Sequence, residues 1–445
     1  MHYPLRDMKT QIGLLFVAAG LFTCGLVHAQ EITAFTNVTV LPMDSDRTLE
    51  AHTVLVEGDR IVTVGSDVEV PLGAQMIDGT GKFLMPGLAE MHGHIPRPDQ
   101  PEQYTEDVLF LYVANGITTV RGMLGAPGQL GLKQRTNDSE LIAPTLYLAG
   151  PSFNGNTVNS PEQAVAMVRA QVKEGWDLLK VLTGMTKAEF DAMARTAAEE
   201  GIRFGGHVPA DVGLMHALNM GQETFDHVDG YVEYIRAQDR PETEALEDAI
   251  ALTKEKGGWI VPTMALWEVL YGVIDLEDLR AYDELKYMPP TVVGNWFRSV
   301  ERWQNNPQYD RAAALDLIHT RMRVLRALHE ADVRILMGTD SPQFFSVPGF
   351  SLHRELERMV DAGMSNYAIL HSGTRAVGEY FANEDTFGTI SEGARADLLL
   401  VDGNPLEDLS HLQELSGVMV RGNWYAHTLL DEHLESIAEA HRNSN

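Results

Sequence analysis

The chain has 445 residues, 44% of them hydrophobic, enough for one large domain and a smaller companion. Its 34 basic against 63 acidic residues give a formal net charge of −29, which repels nucleic acid and anionic membrane surfaces and excludes both as main partners. The acidity serves solubility and names no substrate.

Residues 1–29 read as a signal peptide. Arg6 and Lys9 form a basic start, and Ile12 to Val27 is an apolar run too short for a comfortable membrane span. Val27-His28-Ala29 supplies a small-residue cleavage site. The mature chain then begins at Gln30, in a periplasmic or secreted setting, and no later stretch resembles a membrane span. Cys24, the only cysteine, falls inside this leader, and Leu21-Phe22-Thr23 before it fits a lipoprotein signal poorly. A mature chain without cysteine tolerates an oxidising compartment without using it, and it must hold any metal through nitrogen and oxygen.

Residues 30–85 have the texture of short strands with turn punctuation: Phe35 to Leu41 alternates, Thr53 to Val56 precedes the turn Glu57-Gly58-Asp59, and Asp78-Gly79-Thr80-Gly81 is a further turn. The same texture returns only over residues 387–428, in Ala396 to Val401 and Val418 to Trp424. The economical reading is one small β-sandwich built from both chain ends. Residues 429–445 form an acidic tail with a helical pattern.

Between these ends, residues 86–386 alternate strand and helix. Strands are expected at 86–92, 116–121, 144–150, 176–182, 202–207, 223–228, 258–263 and 333–339, which over this length points to a (β/α)8 TIM barrel. The intervening helices carry apolar stripes, as at Phe190, Met193, Ala194 and Ala197. The stretch 264–332 is about twice what one crossover helix requires. It carries Trp267, Tyr271, Tyr282, Tyr287, Trp296, Phe297, Trp303 and Tyr309. A lid over the site and a contact that packs extra helices or a homo-oligomer are both open, and compatible.

The chemistry gathers at the carboxyl ends of these strands. Met85-Pro86-Gly87-Leu88-Ala89-Glu90-Met91-His92-Gly93-His94 ends in two histidines one residue apart, and alternate strand residues point the same way. Later strands end in Lys180, His207, His227 and Asp340. His92, His94, His207, His227 and Asp340 are imidazole and carboxylate ligands suited to zinc and similar ions, more than one tetrahedral site takes. Lys180 is odd in such company, because an ammonium repels a cation; taken alone it reads as a strand-end lysine in a salt bridge.

This set resembles the amidohydrolase superfamily of metal-dependent hydrolases, of the binuclear carboxylated-lysine type and the imidazolonepropionase/prolidase-like branch. The returning segment Glu392-Gly393-Ala394-Arg395-Ala396-Asp397 is similar to that of its composite β domain. The resemblance implies two divalent ions, zinc by preference, with His92, His94 and Asp340 on one and His207 and His227 on the other. It makes Lys180 a carbamate that bridges both. It also implies a metal-activated hydroxide as nucleophile, with Asp340 as catalytic base and then acid.

Arg121, at the end of the second strand, is a candidate for binding a substrate carboxylate, and Tyr231, shortly after His227, is a second candidate substrate contact. His353 and His371 read as structural. The function expected is hydrolysis of a C–N bond in a small molecule such as a dipeptide, N-acyl amino acid or cyclic amide. Alternatives are a mononuclear ring opener or deaminase, and an esterase or phosphotriesterase. Deaminases of this superfamily carry a glutamate where Ala210 stands, which together with Lys180 argues against deamination. A metal-holding binding protein without turnover is the reading from another class.

Overall fold

The computed structural model describes residues 32–443. The expected signal peptide, Cys24 and the expected mature start at Gln30 lie outside the described residues.

The amino-terminal strands are β1 (Ile32–Val40), β2 (Leu49–Glu57), β3 (Arg60–Gly65), β4 (Gln75–Asp78) and β5 (Phe83–Pro86). Eight parallel strands follow: β6 (Leu88–Gly93), β7 (Ile117–Gly122), β8 (Thr145–Leu148), β9 (Leu178–Val181), β10 (Arg203–Gly206), β11 (Thr224–Asp226), β12 (Trp259–Val261) and β13 (Arg334–Ile335). The chain returns through β14 (Leu398–Val401), β15 (Leu415–Val420) and β16 (Asn423–Ala426).

Both chain ends build a single sheet in the order β16-β15-β14-β5-β1-β2-β3, with β4 beside β1. The junction is β5 against β14, antiparallel with Leu84 opposite Leu400. Phe35 of β1 and Trp424 of β16 are four strands apart, roughly 19 Å in a flat sheet, yet their rings meet at 5.3 Å. The sheet therefore curls over itself around a core of its own, which includes Val40, Val54, Leu84, Leu398 and Leu400. The two expected β halves are thus joined by continuous hydrogen bonding. The opposite face of β14 and β15 (Leu399, Val401, Val418) packs into the core of the α/β body.

In that body β6-β7-β8 form one parallel sheet and β9 to β13 another, each in chain order. A parallel bridge between Ala149 and Leu178 joins β8 to β9. On the far side, the Met91 amide donates to the Met337 carbonyl at 2.9 Å and the His94 amide to the Ser341 carbonyl at 2.7 Å. Helices fill the crossovers. Lys187–Glu200 shows why: Thr186 and Glu189 make a reciprocal capping box, Gly201 ends the helix in the left-handed region, and Phe190, Met193, Ala194 and Ala197 are buried.

The last strand is shorter than its expected 333–339. The Leu336 amide still donates to the Ile260 carbonyl at 2.8 Å, but the Met337 amide turns to the Ser372 carbonyl at 3.0 Å and the Thr339 amide to the Glu90 carboxylate at 2.8 Å, so regular strand pairing ends there. The insertion folds into helices Met264–Leu270, Leu276–Arg280, Pro290–Gln304 and Arg311–Glu330 with a 3-10 turn at Asp283–Tyr287. Its aromatics cover the segment after Asp340: Trp296 and Phe297 pack on Phe345 at 5.6 and 4.7 Å, and Tyr287 stacks on Phe350 at 5.0 Å. The tail is the helix His427–Arg442, where His433 stacks on Phe110 at 3.8 Å. Among the described residues no helix is long and apolar enough to cross a membrane.

Candidate functional site

Strand alternation sends Glu90 and His92 to the same side of β6, with His94 next beyond its end. Glu90 is fully buried and accepts the His92 amide at 2.9 Å, the Thr339 amide at 2.8 and 3.0 Å, and the Thr339 hydroxyl at 2.5 Å. It therefore fixes β6 against the segment that delivers Asp340. Burial pushes its carboxyl up to about 7, against the pull of those donors.

Across this junction His94 Nε2 lies 2.6 Å and His92 Nε2 3.6 Å from Asp340 Oδ1, while His227 Nε2 lies 3.7 Å from Asp340 Oδ2. The His92 and His227 rings are 4.5 Å apart and those of His207 and His227 4.6 Å. Lys180, 1% exposed, brings Nζ to 3.1 Å from His92 Nε2 and 3.9 Å from Asp226 Oδ2. The six residues expected from the sequence thus meet in one place. His227, Thr263 and Asp340 hold left-handed backbone at φ of 65°, 47° and 64°, a strain that proteins concentrate at functional positions.

The donor set suits a divalent metal. Ligand atoms of His92, His227 and Asp340 all lie within 4.8 Å of one another, in buried residues. His227 Nε2 is buried without a hydrogen-bond partner among the described residues, which a ligated cation would relieve. Burial, followed by nearby cationic groups, holds the His92 and His227 imidazoles well below their ordinary range, so both keep a free lone pair. Burial likewise lowers the Lys180 ammonium to about 8, against attraction to Asp226 and Asp340.

Sequence reasoning missed the residues that aim these ligands. Asp229 Oδ2 stands 2.6 Å from His207 Nδ1 and Thr263 Oγ1 2.7 Å from His227 Nδ1, both hydrogen-bonded, while Asp226 Oδ2 lies 2.8 Å from His92 Nδ1 outside hydrogen-bond geometry. A carboxylate or hydroxyl behind a ligating imidazole selects its tautomer and ring orientation. The signal was present: Asp226-His227-Val228-Asp229 brackets a histidine with acids, and Glu90 shares the face of His92. Trp267 reaches the site edge-on to His227 at 5.7 Å.

Both expected substrate contacts lie in the interior, with their polar groups engaged by the protein. Arg121 is 0% exposed, and its guanidinium donates to the Met91 carbonyl at 2.6 Å, Thr224 Oγ1 at 3.0 Å and both Asp226 oxygens at 3.1 and 3.2 Å. With its donors engaged, it braces the acid behind His92 and does not face a substrate. Tyr231 is equally buried, its hydroxyl 2.6 Å from Thr253 Oγ1 in the helix Glu242–Lys256. His353, whose imidazole burial pushes down to about 4, lines an outer cleft of about 520 Å³ with Leu356 and Gln413. His371 sits 6.0 Å from the Tyr367 ring. Neither joins the cluster, and convergence of ligands, not cleft volume, marks the site.

The parallel strands thus deliver histidines, a lysine and an aspartate to one end, in a cluster compatible with a divalent metal. The sequence profile of the Amidohydrolase family matches residues 83–425, and the chain belongs to that family, hydrolases acting on carbon–nitrogen bonds. It is 21% identical to the ochratoxinase of Aspergillus niger over 436 residues, covering 82% of this chain and 81% of that one. Two of the solved structures that share its fold illustrate the likeness. One is a bottromycin amidohydrolase, with a TM-score of 0.74, 22% identity and coverage of 92% and 90%. The other is a Xaa-Pro dipeptidase with bound methionine in its active site, with a TM-score of 0.69, 22% identity and coverage of 89% and 100%.

Proposed function

We propose that this chain is a secreted or periplasmic hydrolase that cleaves the amide bond of a small dipeptide or N-acyl amino acid, working with two divalent ions. The observation that carries the reading is the convergence of His92, His94, Lys180, His207, His227 and Asp340. We read the two parallel sheets as the eight staves of one (β/α)8 barrel; the Ala149–Leu178 bridge and the Met91–Met337 hydrogen bond support closure on both sides. In that architecture reactive residues sit at the carboxyl ends of strands.

His92, His94 and Asp340 would hold one ion and His207 and His227 the other, with Lys180 as a carbamate touching both. When bound, the ions would lower the pKa of a shared water and polarise the scissile carbonyl. The chain's own part is proton handling and placement. Asp340 directs Oδ1 toward His94 and Oδ2 toward His227, so one carboxylate spans the two histidine groups. It would take the proton of the attacking water and return it to the leaving nitrogen. Lys180 becomes a carbamate when its neutral amine adds to carbon dioxide and releases a proton, and a pKa lowered to about 8 makes that neutral form accessible near neutrality. Trp267 beside His227 offers an apolar wall to a substrate side chain. The Xaa-Pro dipeptidase among similar structures favours a dipeptide over a cyclic amide.

Elemental analysis of purified protein, with a screen of dipeptides and N-acyl amino acids before and after chelation, tests the reading. Two zinc-type ions per chain and chelation-sensitive amide cleavage are expected. One ion at full activity overturns the binuclear assignment. Two ions with turnover of esters or phosphotriesters alone overturns the substrate class. The leader is tested by mass spectrometry of the exported protein, which should start at Gln30.

A further inference from the structure

The helix Arg311–Glu330 belongs to the insertion, yet one of its side chains ends between the two histidines on one side of the site. Arg321 is 2% exposed, whereas Arg323 and Arg326 of the same helix are exposed. Its Nη1 donates to the His227 carbonyl, and its Nη2 donates to Asp229 Oδ1 at 3.4 Å. The other Asp229 oxygen faces His207 Nδ1 at 2.6 Å. The guanidinium carbon stands 4.2 Å from the Trp267 ring centroid. One planar cation thus touches the backbone of one histidine, the acid behind a second, and the tryptophan that borders the first.

We infer that Arg321 is the positioning residue for the His207–His227 pair, and that the insertion controls this half of the site through it. The left-handed backbone of His227, at φ 65°, turns its carbonyl toward the helix, where a buried carbonyl needs a donor. Arg321 supplies one. Asp229 holds His207 in the Nδ1–H tautomer only while its carboxylate is correctly rotated, and the guanidinium fixes that rotation. His207 Nε2 is then left with its lone pair toward the site. Two divergent donors in one plane are required, which the arginine fork provides and a lysine ammonium does not. The indole face keeps the guanidinium in that plane. What the aligned pair binds rests on the two-metal reading; the alignment itself does not.

The test uses full-length mature protein with 15N-labelled histidine, as wild type, Arg321→Met, Arg321→Lys and Asp229→Asn. In the metal-free state the His207 nitrogen shifts should report one Nδ1–H tautomer in wild type and a mixture in Arg321→Met. In zinc titrations Arg321→Met should weaken one of the two ions at least tenfold, with Arg321→Lys in between. Adding Asp229→Asn should weaken it little further, because both act through the same imidazole. An unchanged tautomer with unchanged zinc affinity overturns the inference. If Arg321→Met fails to fold, Arg321→Lys carries the same two readouts, and no change in either overturns it. A wild type that binds one zinc, combined with a tautomer shift in the variants, overturns the two-metal reading and upholds the role of Arg321.

Discussion

The two sides of the site use the same ligand chemistry and are secured in opposite ways. His92, His94 and Asp340 hang on the sheet, where the buried carboxylate of Glu90 gathers backbone amides from both contributing segments. His207 and His227 lean on side chains drawn from outside the strands: Asp229, Thr263, and Arg321 of the inserted helices. The first side is fixed by the sheet itself, and the insertion after β12 reaches it only through aromatics packed on Phe345 and Phe350, beyond Asp340. The second is adjustable, because its alignment passes through helices whose sequence can change without breaking a strand. Lys180 stands between them, closest to His92.

The comparison can be broken hardest at Asp340, which touches both sides. Asp340→Asn keeps size and hydrogen bonding but removes the proposed base, and turnover on an amide substrate should fall by on the order of 10²–10⁴ with the fold intact by circular dichroism. A near-normal rate would place the proton shuttle elsewhere.

Lys180→Ala should come next, with most activity and at least one ion lost. An unmodified lysine has three donors and no acceptor, so it cannot bridge cations. Acetate or propionate should restore part of both rate and metal content by occupying the vacated space with two oxygens. Retention of both ions and full rate would return Lys180 to an ordinary buried lysine.

Trp267 and Trp296 sharpen the contrast within the insertion. Trp267 borders His227, whereas Trp296 packs on Phe345. Trp267→Ala should shift preference among apolar substrate side chains by roughly tenfold, the scale of one apolar contact in a pocket. Trp296→Ala should leave preference alone and destabilise by about 3 kcal/mol. Specificity ratios and urea unfolding separate them; equal selectivity changes in both would remove the distinction.

The smallest effect concerns Glu355, which accepts the Met264 and Ala265 amides at 2.9 and 2.8 Å and so starts the helix that carries Trp267. Burial pushes its carboxyl up to about 8 against those two donors. The folded state then binds a proton that the unfolded chain releases near its ordinary value of 4.5. Stability from this group is greatest at low pH and is lost as pH rises to about 8. Glu355→Gln removes that slope, so the melting-temperature advantage of wild type should shrink by a few degrees between pH 5 and pH 8. His92 and His227, which lose stability on the acid side, are common to both proteins and cancel. A constant difference across the range would mean Glu355 stays ionised.

By itself the sequence determined which residues could act as ligands and at which end of the body they stand. Strand alternation and residue type locate His92, His94, His207, His227 and Asp340 without reference to their neighbours, whereas Lys180 joins them only through the family resemblance, and turn punctuation pairs the two β-rich ends. Depth and bracing were decided only by tertiary structure. Arg121 shows the reason: β6 and β7 pair Glu90 with Val120 and Gly93 with Gly122, so Arg121 lies level with Met91 and His92, beneath the rim, where Asp226 meets it. That register is a property of two strands together and leaves no mark on either one. Arg321 shows it again. It is one of several arginines on an amphipathic helix, and it becomes particular only when the helix packs so that this side chain meets the His227 carbonyl and Asp229.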